Sequence, residues 1–225
     1  MDHILDNPVY NALISGNKHL AKGTETVKYY PYDVAPFVGM KVGDNDNFQT
    51  LFDMVSPGQV FALFVPAAIT IPAPWKTLDK MKVLQMVCHR LAEAAPDPAG
   101  IIPLNTSHVP DMLSLTKLTN PGPFKINTIV FGNYKGIFEQ GRLASMAGHR
   151  MHAFDYVEVS AVCTHPDFMG KGYSRRLLLD QIHGLHSIAK TPFLHVKSEN
   201  TRAIKLYESV GFRTRRSMDI YVISK

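Results

Sequence analysis

Cysteine and tryptophan are scarce: the 225 residues hold two cysteines and one tryptophan. Cys88 and Cys163 lie far apart, each in an apolar, strand-like run with no metal-ligand spacing around it. That excludes a disulfide framework and a cysteine-built metal centre, and it fits two buried reduced thiols. A single long-range disulfide is the lesser alternative, disfavoured in a reducing compartment. Long apolar runs are missing too. The most apolar stretch, Val60 to Ile71, is too short to span a bilayer and is broken by Pro66. Met1 to Asp6 lacks the basic and apolar regions of a signal peptide. Together these features predict a soluble cytoplasmic protein with no membrane partner. Charged residues make up only 19 % and hydrophobic residues 45 %, which supports a packed core rather than disorder. The net charge of +5 is spread along the chain, and no nucleic-acid-binding motif accompanies it, so nucleic acid is not an expected partner.

What is present centres on one stretch, Glu158 to Leu179. The run Val157 to Thr164 is β-branched and small-apolar, as a buried strand is, and Pro166 ends it because proline has no donor for a sheet ladder. Gly170 and Gly172 follow, then a helix. Glycine opens backbone angles closed to other residues and lets a ligand approach the main chain. The helix start adds unpaired N–H groups and the positive end of its dipole. Strand, glycine turn and helix N-terminus make a seat for a phosphate, although a plain strand-to-helix connection has the same outline.

A second stretch narrows the choice. Asn200-Thr201-Arg202-Ala203-Ile204-Lys205-Leu206-Tyr207-Glu208-Ser209-Val210-Gly211-Phe212 is a short helix closed by glycine. The two stretches together resemble the acyl-coenzyme A site of the GNAT superfamily of N-acetyltransferases. The first family pattern is Gln or Arg, two residues, Gly, one residue, then Gly or Ala. Met169, Gly172 and Ser174 stand at those places, so Met169 and Ser174 depart from it. The second pattern, Asn–x–x–Ala–x–x–Leu–Tyr–x–x–x–Gly–Phe, is matched throughout from Asn200 to Phe212. The resemblance runs from about Ile101 to the C-terminus. It implies an α/β GNAT (acyl-CoA N-acyltransferase) fold at 101–225, with a mixed central sheet flanked by helices. Residues 1–95 would form a smaller, divergent α/β half packed beside it, a layout similar to the glycine N-acyltransferase-like group.

Read in order, Asn7-Pro8 predicts an N-capped helix to about Ser15, and Thr26 to Tyr30 a strand. Asp46 opens a helix carrying Phe48, Leu51, Phe52 and Val55 on one face, and Ser56-Pro57-Gly58 stops it. Val60 to Val65 and Met81 to Cys88 read as strands, and Ala94 to Gly100 as a linker. A strand near Ile101 to Leu104 precedes a helix capped by Ser107, and Thr119 to Phe124 forms a rigid turn; the resemblance implies that its Pro123 and Phe124 border the acyl group, and turn and core roles fit them equally well. Tyr134 to Glu139 and Arg142 to Met151 form a hairpin around Gln140-Gly141. The helix after Gly172 presents Leu178, Ile182, Leu185 and Ala189, then come a strand at Phe193 to Val196 and closing β structure at Arg213 to Ser224.

The resemblance assigns chemistry residue by residue. The backbone from Gly170 through Lys171, Gly172, Tyr173, Ser174 and Arg175 would bind the pyrophosphate of acetyl-CoA or another acyl-CoA, beside Met169. Lys171, Arg175 and Arg176 add charge there or are solvated surface cations. Val162, Cys163 and Thr164 would line the pantetheine arm through main-chain bonds, as an added strand does, with Val162 or Cys163 offering an N–H to the oxyanion. Asn200 would bond the arm, cap its helix, or do both. Glu158, eleven positions before Met169, would be the general base, with a raised pKa if desolvated; an outward-facing glutamate is the bland alternative. Tyr207 would be the general acid that protonates the leaving thiolate, or a core aromatic. His3, His19 and His89 are isolated, and His165, His183, His186 and His195 lack a second ligand pair, so no metal is expected. The reading is an N-acyltransferase acting on a small-molecule or peptide amine; a non-catalytic CoA-binding module is the alternative. The acceptor and the oligomeric state stay open.

Overall fold

The computed structural model describes residues 3–42, 46–90 and 96–225. Five helices and eleven strands follow one another as α1 (Pro8–Leu13), β1 (Lys22–Gly23), β2 (Val27–Tyr29), β3 (Phe37–Met40), α2 (Asn47–Met54), β4 (Val60–Val65), β5 (Lys76–Val87), β6 (Ile101–Pro103), α3 (Val109–Thr119), β7 (Lys135–Glu139), β8 (Arg142–Ala153), β9 (Tyr156–Thr164), α4 (Tyr173–Ser187), β10 (Thr191–Lys197), α5 (Thr201–Ser209) and β11 (Arg213–Ser224). All the strands lie in one mixed sheet, in the order β1-β2-β3-β4-β11-β5-β10-β9-β8-β7-β6. Only β3/β4 and β9/β10 pair in parallel.

Strands from before and after residue 100 interleave in that order: β5 lies between β10 and β11, and β11 runs between β4 and β5. The rungs Phe193↔Val87 and Met218↔Val83 therefore join residues more than a hundred positions apart. The expected linker begins at Ala94, and 91–95 lie outside the described residues.

Local sequence accounts for most elements. Val9, Ala12 and Leu13 give α1 one buried face. Its Asn7 makes no cap bond; the side-chain amide instead donates to the Met40 carbonyl (2.6 Å) at the end of β3. Asn105, not Ser107, caps the turn before α3, accepting from the Ser107 N–H (3.0 Å). The β7–β8 hairpin turns through Gln140 and Gly141, both left-handed (φ 52° and 73°), as a tight two-residue loop requires. Ala189 does not extend the buried face of α4; the helix ends at Ser187 and Ala189 turns left-handed.

α1 and α3 pack on one face of the sheet, in a core that includes Leu5, Leu13, Phe37, Met112, Met146 and Phe193. α4 and α5 cover the other face over Val157, Val159, Leu178 and Leu194. α2 covers the strands at the N-terminal end, against Phe61, Leu63, Trp75 and Ile223. α1 touches both β3 and β8, which five strands separate, so the sheet curls around it. Two close approaches hold that curl. The Gly16 N–H donates to the His152 carbonyl at 3.0 Å, and a Cβ on Gly39 would lie 2.2 Å from the Tyr10 backbone nitrogen.

Gly39→Ala is therefore expected to destabilise the protein by about 1–3 kcal/mol or more through overpacking. Gly184→Ala, inside α4 with no atom within 4 Å of the added Cβ, should stabilise it by about 1 kcal/mol. Thermal unfolding checks both, the second as a rise of roughly 2–4 °C.

Candidate active site

The site grows from an irregularity in β9. Its register with β8 slips between Met146↔Cys163 and Gly148↔Ser160, so one strand carries an extra residue there. Ala161 holds the left-handed conformation (φ 53°) that the bulge needs, without being glycine. The bulge shifts the alternation of side chains. Val157 and Val159 face the core under α4 and α5, whereas beyond the bulge Ala161 and Cys163 join the core under α1 and α3.

β10 pairs with β9 only at Thr191↔Tyr156, Pro192↔Val157 and Phe193↔Glu158, then continues along β5 as far as Lys197. Past Glu158 the two strands part. The stretch of β9 that includes Val162, Cys163 and Thr164 leaves the β10 ladder, and an extended ligand can add there as a strand does.

At the far end of β9 stands the glycine turn. Gly170 and Gly172 are left-handed (φ 81° and 76°), and a Cβ on either would meet nothing within 4 Å. Gly172 opens the fifteen-residue helix α4 without a side-chain cap bond. An open, side-chain-free turn before an uncapped helix start suits a pyrophosphate. Hydroxyls tie the turn to the sheet. Ser145 Oγ donates to the Cys163 carbonyl and Thr164 Oγ1 lies 2.6 Å from Ser174 Oγ, so Ser174 adds an anchor that Gly or Ala would lack.

The side chains around the turn are largely engaged. Lys171 and Tyr173 both bond the Glu139 carboxylate. Arg176 pairs with Asp97 (3.1 Å) and donates to the Ala99 carbonyl, while Arg175 is exposed. Met169, half exposed, meets Arg202 Nη1 at 3.6 Å from its sulfur. Arg202, from the first turn of α5, thus brings a cation to the place where Met169 departs from the family pattern. The resemblance already joins the α5 stretch to this turn but assigns no role to Arg202, and no sequence spacing brings Glu139 of β7 there. Asn200 caps α5, accepting from the Ala203 N–H at 3.1 Å.

Tyr207 is buried in α5 against Phe212 (ring centroids 6.0 Å). Burial, with a smaller push from the Cys163 thiol, raises its pKa to about 12. It keeps its proton throughout the neutral range, as a proton donor must. Cys163 is itself buried, its pKa pushed up to about 12, so it is no nucleophile at neutral pH.

Glu158 reverses the expectation of a raised pKa. It is fully buried, but Arg150 grips it bidentately, with Nε on Oε2 and Nη2 on Oε1, both at 2.6 Å. His195 Nδ1 lies 2.7 Å from Oε1. Burial works to raise the pKa; the Arg150 charge and these hydrogen bonds overcome it and hold the pKa down at about 2. A carboxylate so acidic and so fully engaged is a poor proton acceptor.

Residues 134–221 match the family model described as FR47-like protein. A crystal structure from Novosphingobium aromaticivorans DSM 12444, described as an acetyltransferase from the GNAT family, is 33 % identical and covers 100 % of this chain and 99 % of its own, with a TM-score of 0.92. The chain belongs to the GNAT family. Two more distant structures share the fold. A GCN5-related N-acetyltransferase from Kribbella flavida has a TM-score of 0.63 at 12 % identity, covering 96 % of this chain and 94 % of its own. One from Sphaerobacter thermophilus has a TM-score of 0.53 at 10 % identity, covering 83 % and 71 %. A search of curated proteins found no match.

This GNAT protein carries a small open pocket on the α3 side of β9. The Pro121–Phe124 turn walls it, with Tyr134, Arg150, Ser160 and the bulged Ala161. Pro123 and Phe124, for which the sequence leaves an acyl border and a core role both open, line this pocket, and Phe124 also packs against the core. Among the described residues no metal-binding group of three or more side chains comes together, and no helix is long and apolar enough to cross a membrane.

Since Glu158 has a folded pKa of about 2 against an ordinary 4.5, its charge adds stability above pH 4.5 that drains away as pH falls toward 2. Glu158→Gln, which leaves Arg150 buried without its anion, is expected to cost about 3–5 kcal/mol at neutral pH. Urea unfolding from pH 6 down to pH 3 should show the wild type losing that advantage and the variant changing less.

Proposed function

We propose that this GNAT protein transfers an acetyl group from acetyl-CoA to a primary amine by direct attack in a ternary complex. The observation that carries the reading is the parting of β9 from β10 past Glu158. The freed part of β9 has the Arg150 pocket beside Ser160 and Ala161 and the glycine turn after its end, which supports an acceptor seat and a nucleotide seat along one strand.

Bound there, acetyl-CoA would supply a thioester carbonyl open to attack. The chain's own residues divide the remaining work. Backbone N–H groups from Gly170, Lys171, Gly172, Tyr173, Ser174 and Arg175 receive the pyrophosphate, with Met169 and Arg202 at the rim. Val162, Cys163 and Thr164 bond the pantetheine arm from β9, and Val162 or Cys163 turns an N–H to the developing oxyanion. Asn200 stiffens the start of α5 and through it the placement of Tyr207. The attacking amine gives up its proton to solvent water as the C–N bond forms; when the C–S bond breaks, the Tyr207 hydroxyl gives the departing sulfur its proton and regains one from solvent. Glu158 acts by holding Arg150 rather than by taking a proton from the amine. In chain order, 1–95 is the divergent half and 101–225 the catalytic half, and β5 of the former completes the sheet of the latter.

Tyr207→Phe should lower kcat by about 10²–10⁴-fold and leave acetyl-CoA affinity nearly unchanged. Equal loss of turnover and affinity would remove the acid role. Gly172→Asp puts a side chain and a negative charge into the open turn, and should abolish acetyl-CoA binding in a calorimetric titration.

A further inference from the structure

Arg150 is the cation that lines the pocket, and it is unusually constrained. It rises from the middle of β8, and its guanidinium lies over the Phe37 ring with 4.8 Å from carbon to centroid. Its side chain is 11 % exposed, and it lines the pocket. Glu158 takes only the side-on fork, Nε and one Nη2 proton. Among the described residues Arg150 bonds no other acceptor. The end-on fork, Nη1 with the second Nη2 proton, keeps a pair of parallel donors of the kind that match a carboxylate.

A relay fixes that fork in place. A carboxylate only accepts, so His195 donates to Glu158 from Nδ1. His195 Nε2 then accepts from Gln85 Nε2 at 3.0 Å. Gln85 also donates to the Leu5 carbonyl (2.9 Å) and accepts from Arg215 Nε (2.6 Å). Arg215 and Arg216 share Asp6. The relay spans β8, β9, β10, β5 and β11. Glu158 is therefore held by donors from both sides, and Arg150, fixed against it, lines the pocket with one edge of its guanidinium unused by Glu158.

The geometry points to Arg150 as the specificity-determining residue for an acceptor that carries its own carboxylate near the amine, as a free α-amino acid does. Ser160 and Ala161 line the same pocket at the mouth of the parted strands. A carboxylate on the Arg150 fork thus leaves an amine one or two carbons away facing the place where acyl transfer would occur. Tyr134 and Phe124 (ring centroids 5.7 Å, edge to face) form an apolar wall suited to a side chain. This inference rests on the acetyltransferase reading for its purpose, but binding tests it without turnover.

The experiment titrates the CoA-loaded protein calorimetrically with matched pairs: alanine against ethylamine, leucine against 3-methylbutylamine, and leucine against leucinamide. Each amino acid is expected to bind about ten- to a hundredfold more tightly than its partner lacking the carboxylate. Arg150→Ala would leave Glu158 buried and unpaired, so the variant used is Arg150→Gln/Glu158→Gln, which replaces both charges together. Retained CoA binding reports that it folds, and loss of the acid-over-amine preference in it supports the assignment. Equal binding of acids and amines by the wild type, or no binding of any amino acid, overturns it. So does an unchanged preference in a folded double variant. Acetyl transfer is read separately from CoA release. Absence of transfer to all the amines would count against the acetyltransferase reading, while amino-acid selectivity in the titration would still stand.

Discussion

A buried anion cannot be left alone, and Glu158 is the residue on which this structure turns. It occupies the last rung that joins β9 to β10 and collects three donors, two from Arg150 on β8 and one from His195 on β10. In a low-dielectric interior, each partner must in turn be satisfied or the whole arrangement becomes costly. His195 leads to Gln85 on β5, and Gln85 to Arg215 on β11 and the Leu5 carbonyl. The polar chain thus requires a strand of the N-terminal half beside β10. This is a physical reason for the two halves to share one sheet.

The same hub marks where the site begins. On one side of Glu158 the strands are locked by ladder bonds and side-chain charge; on the other they part, and the bulge at Ala161 turns β9 outward. A cleft between separated strands keeps its shape only if its apex is rigid. Placing the strongest polar cluster at the apex sets the two walls without filling the space between them. Arg150 lines the pocket beside Ser160 and Ala161 of β9, and the glycine turn follows the end of the same strand.

Tyr207 and Glu158 show why two equally conspicuous residues were unequally readable. The tyrosine's helix is local: α5, its Asn200 cap and the Gly211-Phe212 closure all lie within thirteen residues, and burial is the larger cause of its raised pKa. The glutamate's surroundings are not. From β9 alone it looks like a desolvated carboxylate with a raised pKa. Arg150 is eight residues away but across a hairpin with an irregular register, and His195 is thirty-seven away across a crossover, so their pull in the opposite direction becomes visible only after folding.

Local sequence accounts for the helix of α5, the glycine turn before α4, the hairpin around Gln140-Gly141, the strand at Val60 to Val65, and the family to which these belong. Each rests on short-range rules of backbone geometry, capping and side-chain period that act within a dozen residues. The insertion of β5 between β10 and β11, the parting of β9 from β10, the curl of the sheet about Gly39 and Gly16, and the lowered pKa of Glu158 emerge only once the chain is folded. These depend on which distant strands share hydrogen bonds and which buried charges find partners, and such pairings leave no periodic trace along the chain.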